Sequence, residues 1–335
     1  MIFNNIEKLP QEKLQKMQLD RLNTQLNTVY NNCPLYKKRF DQNNVDPNIT
    51  KIEDLAKFPI LTDEIIIENT VKNKDVFGGR QNIIEDAIWK LFSNDKFPYV
   101  EGSPFFYGYS QNDFKSEIDI LKRMLFGTGI RQGDFVHAII LGMDPITYSV
   151  YQAALKLGCR FLGGLAVEID IPRIVDSMRL KPNCLITPFA MLMAASKHAK
   201  KAGFDESTHF LNYQKVLVHD IIWETRRAEK LQRKGWKNAE FFNLRKINIP
   251  GFYACECEKH DGLHYPQDSF IAEIVDPENP KELVAEGERG QLLVTNITRE
   301  ASPCIRYTPP RPLFASKHLE ICDCGRTIAR LKFLK

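Results

Sequence analysis

The 335-residue sequence contains no run of 18 apolar residues, and its first stretch, MIFNNIEKLPQEKLQKMQLDRL, is polar and helix-patterned without the apolar core of a signal peptide. The expected location is therefore the cytoplasm, with no membrane partner. The net charge of +4 is spread along the chain without a block of five or six like charges, which argues against nucleic acid or an anionic membrane as a partner. Internal repeats and low-complexity segments are missing. So are Gly-x-Ser-x-Gly and His-Glu-x-x-His, which leaves a serine hydrolase or metalloprotease without support. The eight cysteines have no secretion signal beside them, so they read as thiols or metal ligands rather than a disulfide framework.

What is present describes a folded chain. A hydrophobic content of 43% is enough for a large core in one large or two ordinary domains. Leu14 to Tyr30 has helical apolar spacing, and Ser110 is a cap signal ahead of a second amphipathic run. The middle alternates short apolar runs with longer periodic ones: FVHAIILG, ITYSVYQAALKLG, CRFLGG, IPRIVDSMRL, NCLITPF, AMLMAASKHAKKAG, KVLVH, ETRRAEKLQRKG and AEFFNL. That order predicts an α/β fold, a largely parallel sheet covered by helices. From 270 onward, FIAEIVDP, GQLLVTNI and the loop around Arg306 read as β-rich. The expected division is an α/β core over 1–269 and a β-rich subdomain over 270–335.

Two cysteine clusters carry chemistry. In CECEKHDGLH, Cys257 and His264 are separated by six residues that include Gly262, enough for a turn to bring both side chains to one point. In CDCGR, Cys322 and Cys324 offer a close thiolate pair. Three sulfurs and one imidazole suit tetrahedral zinc, and four protein ligands leave no position for a catalytic water, so the expected role is structural. Cys255 and His260 are spare candidates, and a group of buried thiols beside a surface histidine is the competing reading.

The wording around these clusters is more specific than their spacing. ECEKHDGLHYPQDSFIAEIVDPENP, EGERGQLLVTNITREASPCIRY and CDCGRT, in this order, resemble the phenylacetate-CoA ligase family of adenylate-forming enzymes. NTVYNNCPLYKKRFDQNNVDPNITKIEDLAKFPILT, LGCRFLGG and LITPFAMLMAASKHAKKAG extend the resemblance to nearly the whole chain. It implies the large-domain fold of adenylate-forming enzymes, activity as an acid-CoA ligase using ATP, magnesium and CoA, and, in some members, a Cys/His zinc site at this place.

Several working parts implied by the resemblance are replaced. Where a Ser/Thr/Gly-rich loop would cradle ATP phosphates ahead of GYS at 108–110, the sequence has FPYVEGSP, whose Phe97, Pro98, Tyr99, Val100 and Glu101 bring bulk, a missing donor and a negative charge. FNLRK at 242–246 stands where the resemblance implies an aromatic-Gly-Leu-Thr/Ser-Glu run, so Lys246 replaces a magnesium-ligating glutamate. Arg306 and Tyr307 persist, but the aspartate that would accept the ribose hydroxyls falls at or near Arg311, which has no acceptor. The mobile C-terminal domain that the resemblance implies, with its lysine, is expected to be absent.

Arg245, Lys246 and Arg311 would turn a magnesium-nucleotide cleft into one that favours a small anionic ligand. The further pocket candidates are Arg306, an acid-base pair of His219 and Asp220, and Tyr148 with Tyr151 as the lining for an aromatic carboxylate. The resulting expectation is a degenerate relative that has lost acyl-CoA ligation and binds a small anion or a partner enzyme. The alternative is an ATP-dependent carboxylate-activating enzyme with its missing domain supplied in trans.

Overall fold

The computed structural model describes residues 4–88, 90–93, 105–139, 145–163, 171–201, 203, 210–219, 225–233, 235–247, 249 and 251–334. The phosphate-loop positions 97–104 and Asp220 lie outside the described residues.

Among the described residues, one sheet of eleven strands organises the fold. Its parallel part consists of β3 (Phe135–Ala138), β4 (Arg160–Gly163), β5 (Cys184–Pro188), β6 (Lys215–His219) and β7 (Glu240–Lys246), in the spatial order β4-β3-β5-β6-β7. The periodic runs between these strands form helices α5 (Pro145–Lys156), α6 (Ile171–Ser177), α7 (Phe189–Lys201) and α8 (Thr225–Gln232). The sheet continues antiparallel through β8 (Tyr253–Glu256), β9 (Leu263–His264), β13 (Arg330–Leu334), β12 (Phe314–His318), β11 (Gly290–Asn296) and β10 (Phe270–Val275). The β-rich segment thus joins the α/β layers through the β9–β13 pairing. A separate two-stranded sheet pairs β1 (Lys90–Ser93) with β2 (Phe106–Tyr109).

Strand alternation sorts the core into two layers. Cys184 and Ile186 of β5, Leu217 of β6, and Phe242 and Leu244 of β7 join one cluster; Leu185, Val216, Val218 and Phe241 join another. Successive side chains of a strand point to opposite faces, so these clusters are the two sides of the sheet. The first is covered by α1 (Gln11–Asn32), whose buried Leu14, Leu22, Leu26 and Val29 form one stripe, and by α4 (Gln111–Gly127). The second is closed by α7 and by Trp236, stacked on Phe210 with ring centroids 4.4 Å apart. At the start of α4, the Ser110 hydroxyl accepts from the Asp113 amide, and the Asp113 carboxylate accepts from the Ser110 amide.

The segment 295–308 is pinned by its own polar residues. Arg306, 1% exposed and at φ +49°, gives its guanidinium to Glu273 at 3.1 Å and to the carbonyls of Ala56, Phe58 and Pro280. The Tyr307 hydroxyl donates to Asp63 at 2.6 Å.

Candidate functional site

The β8–β9 hairpin brings the first ligand pair together. Cys255 lies opposite His264 in the register, and Cys257, two residues past Cys255, falls on the same face, the side covered by α4. The turn between the strands needs backbone that few residues adopt: His260 has φ +51° and Gly262 φ +85°. A side chain at Gly262 would also press on Arg330 and Lys332, about 3.2 Å from the built Cβ position.

The second pair comes from a tight knuckle. The Gly325 amide donates to the Cys322 carbonyl at 2.7 Å, and the Cys322 amide to the Arg326 carbonyl at 3.1 Å, with Gly325 at φ +85°. This folds Cys322 and Cys324 back against the hairpin.

The four ligand atoms of Cys257, His264, Cys322 and Cys324 lie within 4.8 Å of one another. The Cys257 and Cys322 sulfurs are 3.8 Å apart, and Cys324 Sγ is 3.5 Å from His264 Nε2. Tetrahedral zinc with ordinary Zn–S and Zn–N bonds requires separations of about 3.8 Å and about 3.6 Å for such pairs. The donor set fits the ion. His264 directs Nδ1 at the Ile328 carbonyl, 3.2 Å away, which leaves the Nε2 lone pair facing the sulfurs. The Cys324 thiol is held well below the ordinary thiol range, first by its hydrogen bond from Cys257 and then by His264. The spare candidates are used elsewhere. His260 bridges Glu240 at 3.0 Å and Glu256 at 3.4 Å, and Cys255 is packed into the core.

Arg245 and Lys246 do not point to one place. Arg245 and Lys246 are consecutive in β7, so they face opposite sides of the sheet and cannot clasp one ligand together from that strand. The Arg245 guanidinium lies 5.3 Å from the centre of the Phe333 ring. Arg311 is exposed in the loop before β12, while Arg306 is buried and committed to Glu273. Arg306 thus acts as a structural clamp. His219 ends β6 and is buried.

Tyr148 and Tyr151 lie on α5 with 46% and 37% exposure. With the buried Phe114 at one end and Phe161 at the other they form a row of rings, with successive centroid distances of 5.4, 6.3 and 5.1 Å.

Sequence reasoning missed Glu117, which is 1% exposed and accepts from Tyr109 at 2.7 Å, Ser149 at 2.5 Å and Tyr253 at 3.3 Å. Nothing local marks a helical glutamate as the hub of four elements.

With this geometry, the chain has the fold of the adenylate-forming CoA ligases. A 2-hydroxyisobutyryl-CoA ligase crystallised with 2-HIB-AMP and CoA superposes with a TM-score of 0.83 over 98% of this chain and 75% of its own, at 19% identity. In its thioesterification state the TM-score is 0.86. More particularly, the curated homologues of the chain are phenylacetate-CoA ligases. The *Pseudomonas putida* enzyme is 29% identical over 314 residues, covering 91% of this chain and 67% of that protein. The *Thermus thermophilus* enzyme is 27% identical over 334 residues, covering 97% and 71%. The chain thus spans about two thirds of the length of these relatives. No family model matches it. Among the described residues, no helix is long and apolar enough to cross a membrane.

Proposed function

We propose that this chain is a phenylacetate-CoA-ligase-like protein that has lost ATP-dependent acyl-CoA formation and keeps a structural zinc centre at Cys257, His264, Cys322 and Cys324. The observation that carries the reading of lost activity is Lys246. It ends β7 at the carboxyl edge of the parallel strands, where open α/β sheets bind ligands, and an ammonium there repels the magnesium that the resemblance implies. The zinc assignment rests on the four converging donors. In this reading the fold retains a small carboxylate or a partner protein as its ligand, and Lys246, on the α4 side of the sheet, is its cationic contact.

The test is pyrophosphate exchange and calorimetry with ATP, with and without magnesium, across aromatic and aliphatic acids. The expected result is no carboxylate-dependent exchange and no magnesium-dependent ATP binding. Clear exchange by the purified chain would overturn the reading. It would instead establish the second one, ATP-dependent carboxylate activation, which draws support from the curated activity of the homologues and the continuous core.

A further inference from the structure

We infer that the segment Asn4–Gln11 is the outer wall of the metal centre, with Glu7 and Arg326 as its positioning residues, so that metal occupancy sets whether this segment stays docked. This rests on the metal reading above.

The contacts run without a break from a ligand sulfur to the start of the chain. Arg326 Nη1 donates to Cys324 Sγ at 3.5 Å, and its Nε lies 3.1 Å from Glu7 Oε1. The side chains of Arg326 and Glu7 are 3% and 5% exposed. Thr327 then fastens the backbone of the same segment. Its amide donates to the Glu7 carbonyl at 2.9 Å, and its hydroxyl to the Leu9 carbonyl at 2.7 Å. The Gln11 amide group returns a bond to the Thr327 carbonyl.

The local packing is shaped for this guanidinium. Gly127 closes α4 directly over it, and a Cβ there would come within 3.1 Å of Arg326 Nη2. Beside it lies a cavity of about 20 Å³ bordered by Glu7, Arg326, Tyr265 and the ligands Cys257 and His264. Of its lining residues, Glu7, Arg326 and Tyr265 each keep a buried polar atom without a protein partner, Oε2, Nη2 and the hydroxyl.

Charge gives the reason for the arrangement. Three thiolates and a neutral imidazole around a divalent ion carry a net charge of −1 in a buried place. Arg326 offsets it through a charge-assisted bond to sulfur, and Glu7 fixes the arginine's orientation, as outer partners of metal ligands do. Cys322 and Cys324 stand four and two residues before Arg326 on one tight turn, and Thr327 follows directly. Opening the knuckle therefore displaces the two residues that hold Glu7.

Amide hydrogen exchange on the full chain, zinc-loaded against chelator-stripped, tests this together with cobalt(II) titration of the stripped chain and its Glu7→Gln variant. On metal removal, amides between Asn4 and Gln11 should exchange at least tenfold faster, together with 257–264 and 322–328, while β5 and β6 stay protected. Glu7→Gln should weaken cobalt binding about tenfold or more without moving the thiolate-to-metal band, and Glu7→Asp should recover part of the loss. Failure of zinc and cobalt to bind near one per chain would overturn the metal reading and this inference with it. Stoichiometric metal, with the N-terminal amides indifferent to its removal and Glu7→Gln binding cobalt normally, would overturn the inference alone.

Discussion

The corner formed by β8, β9 and residues 322–330 belongs to the same sheet as the carboxyl edge of β5, β6 and β7, yet the two treat polar residues in opposite ways. At the corner, four ligand atoms converge within 4.8 Å, and two of their residues are steered by further partners, His264 by the Ile328 carbonyl and Cys324 by Arg326. Along the strand edge, two neighbouring cations face opposite sides, and the arginine beyond them in the resemblance is spent on Glu273. Convergence at the corner follows from a short hairpin, in which alternation and one turn suffice. Convergence at the strand edge would require residues from β7 and a loop past 306 to meet, and a pattern of like charges does not supply that.

This contrast can be broken most forcefully at the cysteine corner. Cys324→Ser should abolish stoichiometric zinc and lower the unfolding free energy by more than about 4 kcal/mol, the exceptional end of single-residue effects. Elemental analysis and denaturant unfolding would check it. A variant with normal stability would return the cluster to ordinary buried thiols.

Arg306→Met comes next. It strands the Glu273 carboxylate in the core and should cost about 3–5 kcal/mol. Were Arg306 a ligand contact rather than a clamp, the unfolding midpoint would hardly move.

A smaller effect concerns pH. Glu240, and after it Glu256, raise the His260 pKa from 6.5 to about 9. A raised folded-state pKa contributes stability that is fully present below about pH 6.5 and lost as pH rises through about 9. The group is partly exposed, so solvent screens the effect. His260→Gln should flatten the stability profile over that window, which unfolding curves at pH 6 and pH 9.5 would show.

The smallest change is expected at Arg311→Gln, within about 0.5 kcal/mol, because the side chain is exposed. A loss matching that of Arg306→Met would mean that the two arginines share one buried role.

Much of this molecule was legible in its residues. The alternating apolar runs determined the parallel strands and their helices, because a strand buried on both faces and a helix buried on one have different periods. The Ser110 cap and the grouping of Cys257, His264, Cys322 and Cys324 were equally readable, since each depends on residues a few positions apart or on donor types of one kind.

Tertiary structure alone decided the rest. Short β8 and β9 carry too few residues for a periodic signal, yet β8 pairs with β9 and β9 with β13, which joins the two parts of the sheet. Arg306 reads as a cation available to a ligand until its acceptors at Ala56, Phe58, Glu273 and Pro280 are seen around it. Glu117 and Glu7 are ordinary glutamates in sequence; the hydroxyls that converge on one and the guanidinium that faces the other come from distant segments. The physical reason is common to all of them. Local patterns fix which face of an element is apolar, whereas the partner of a buried charge is chosen by the packing of elements far apart in the chain.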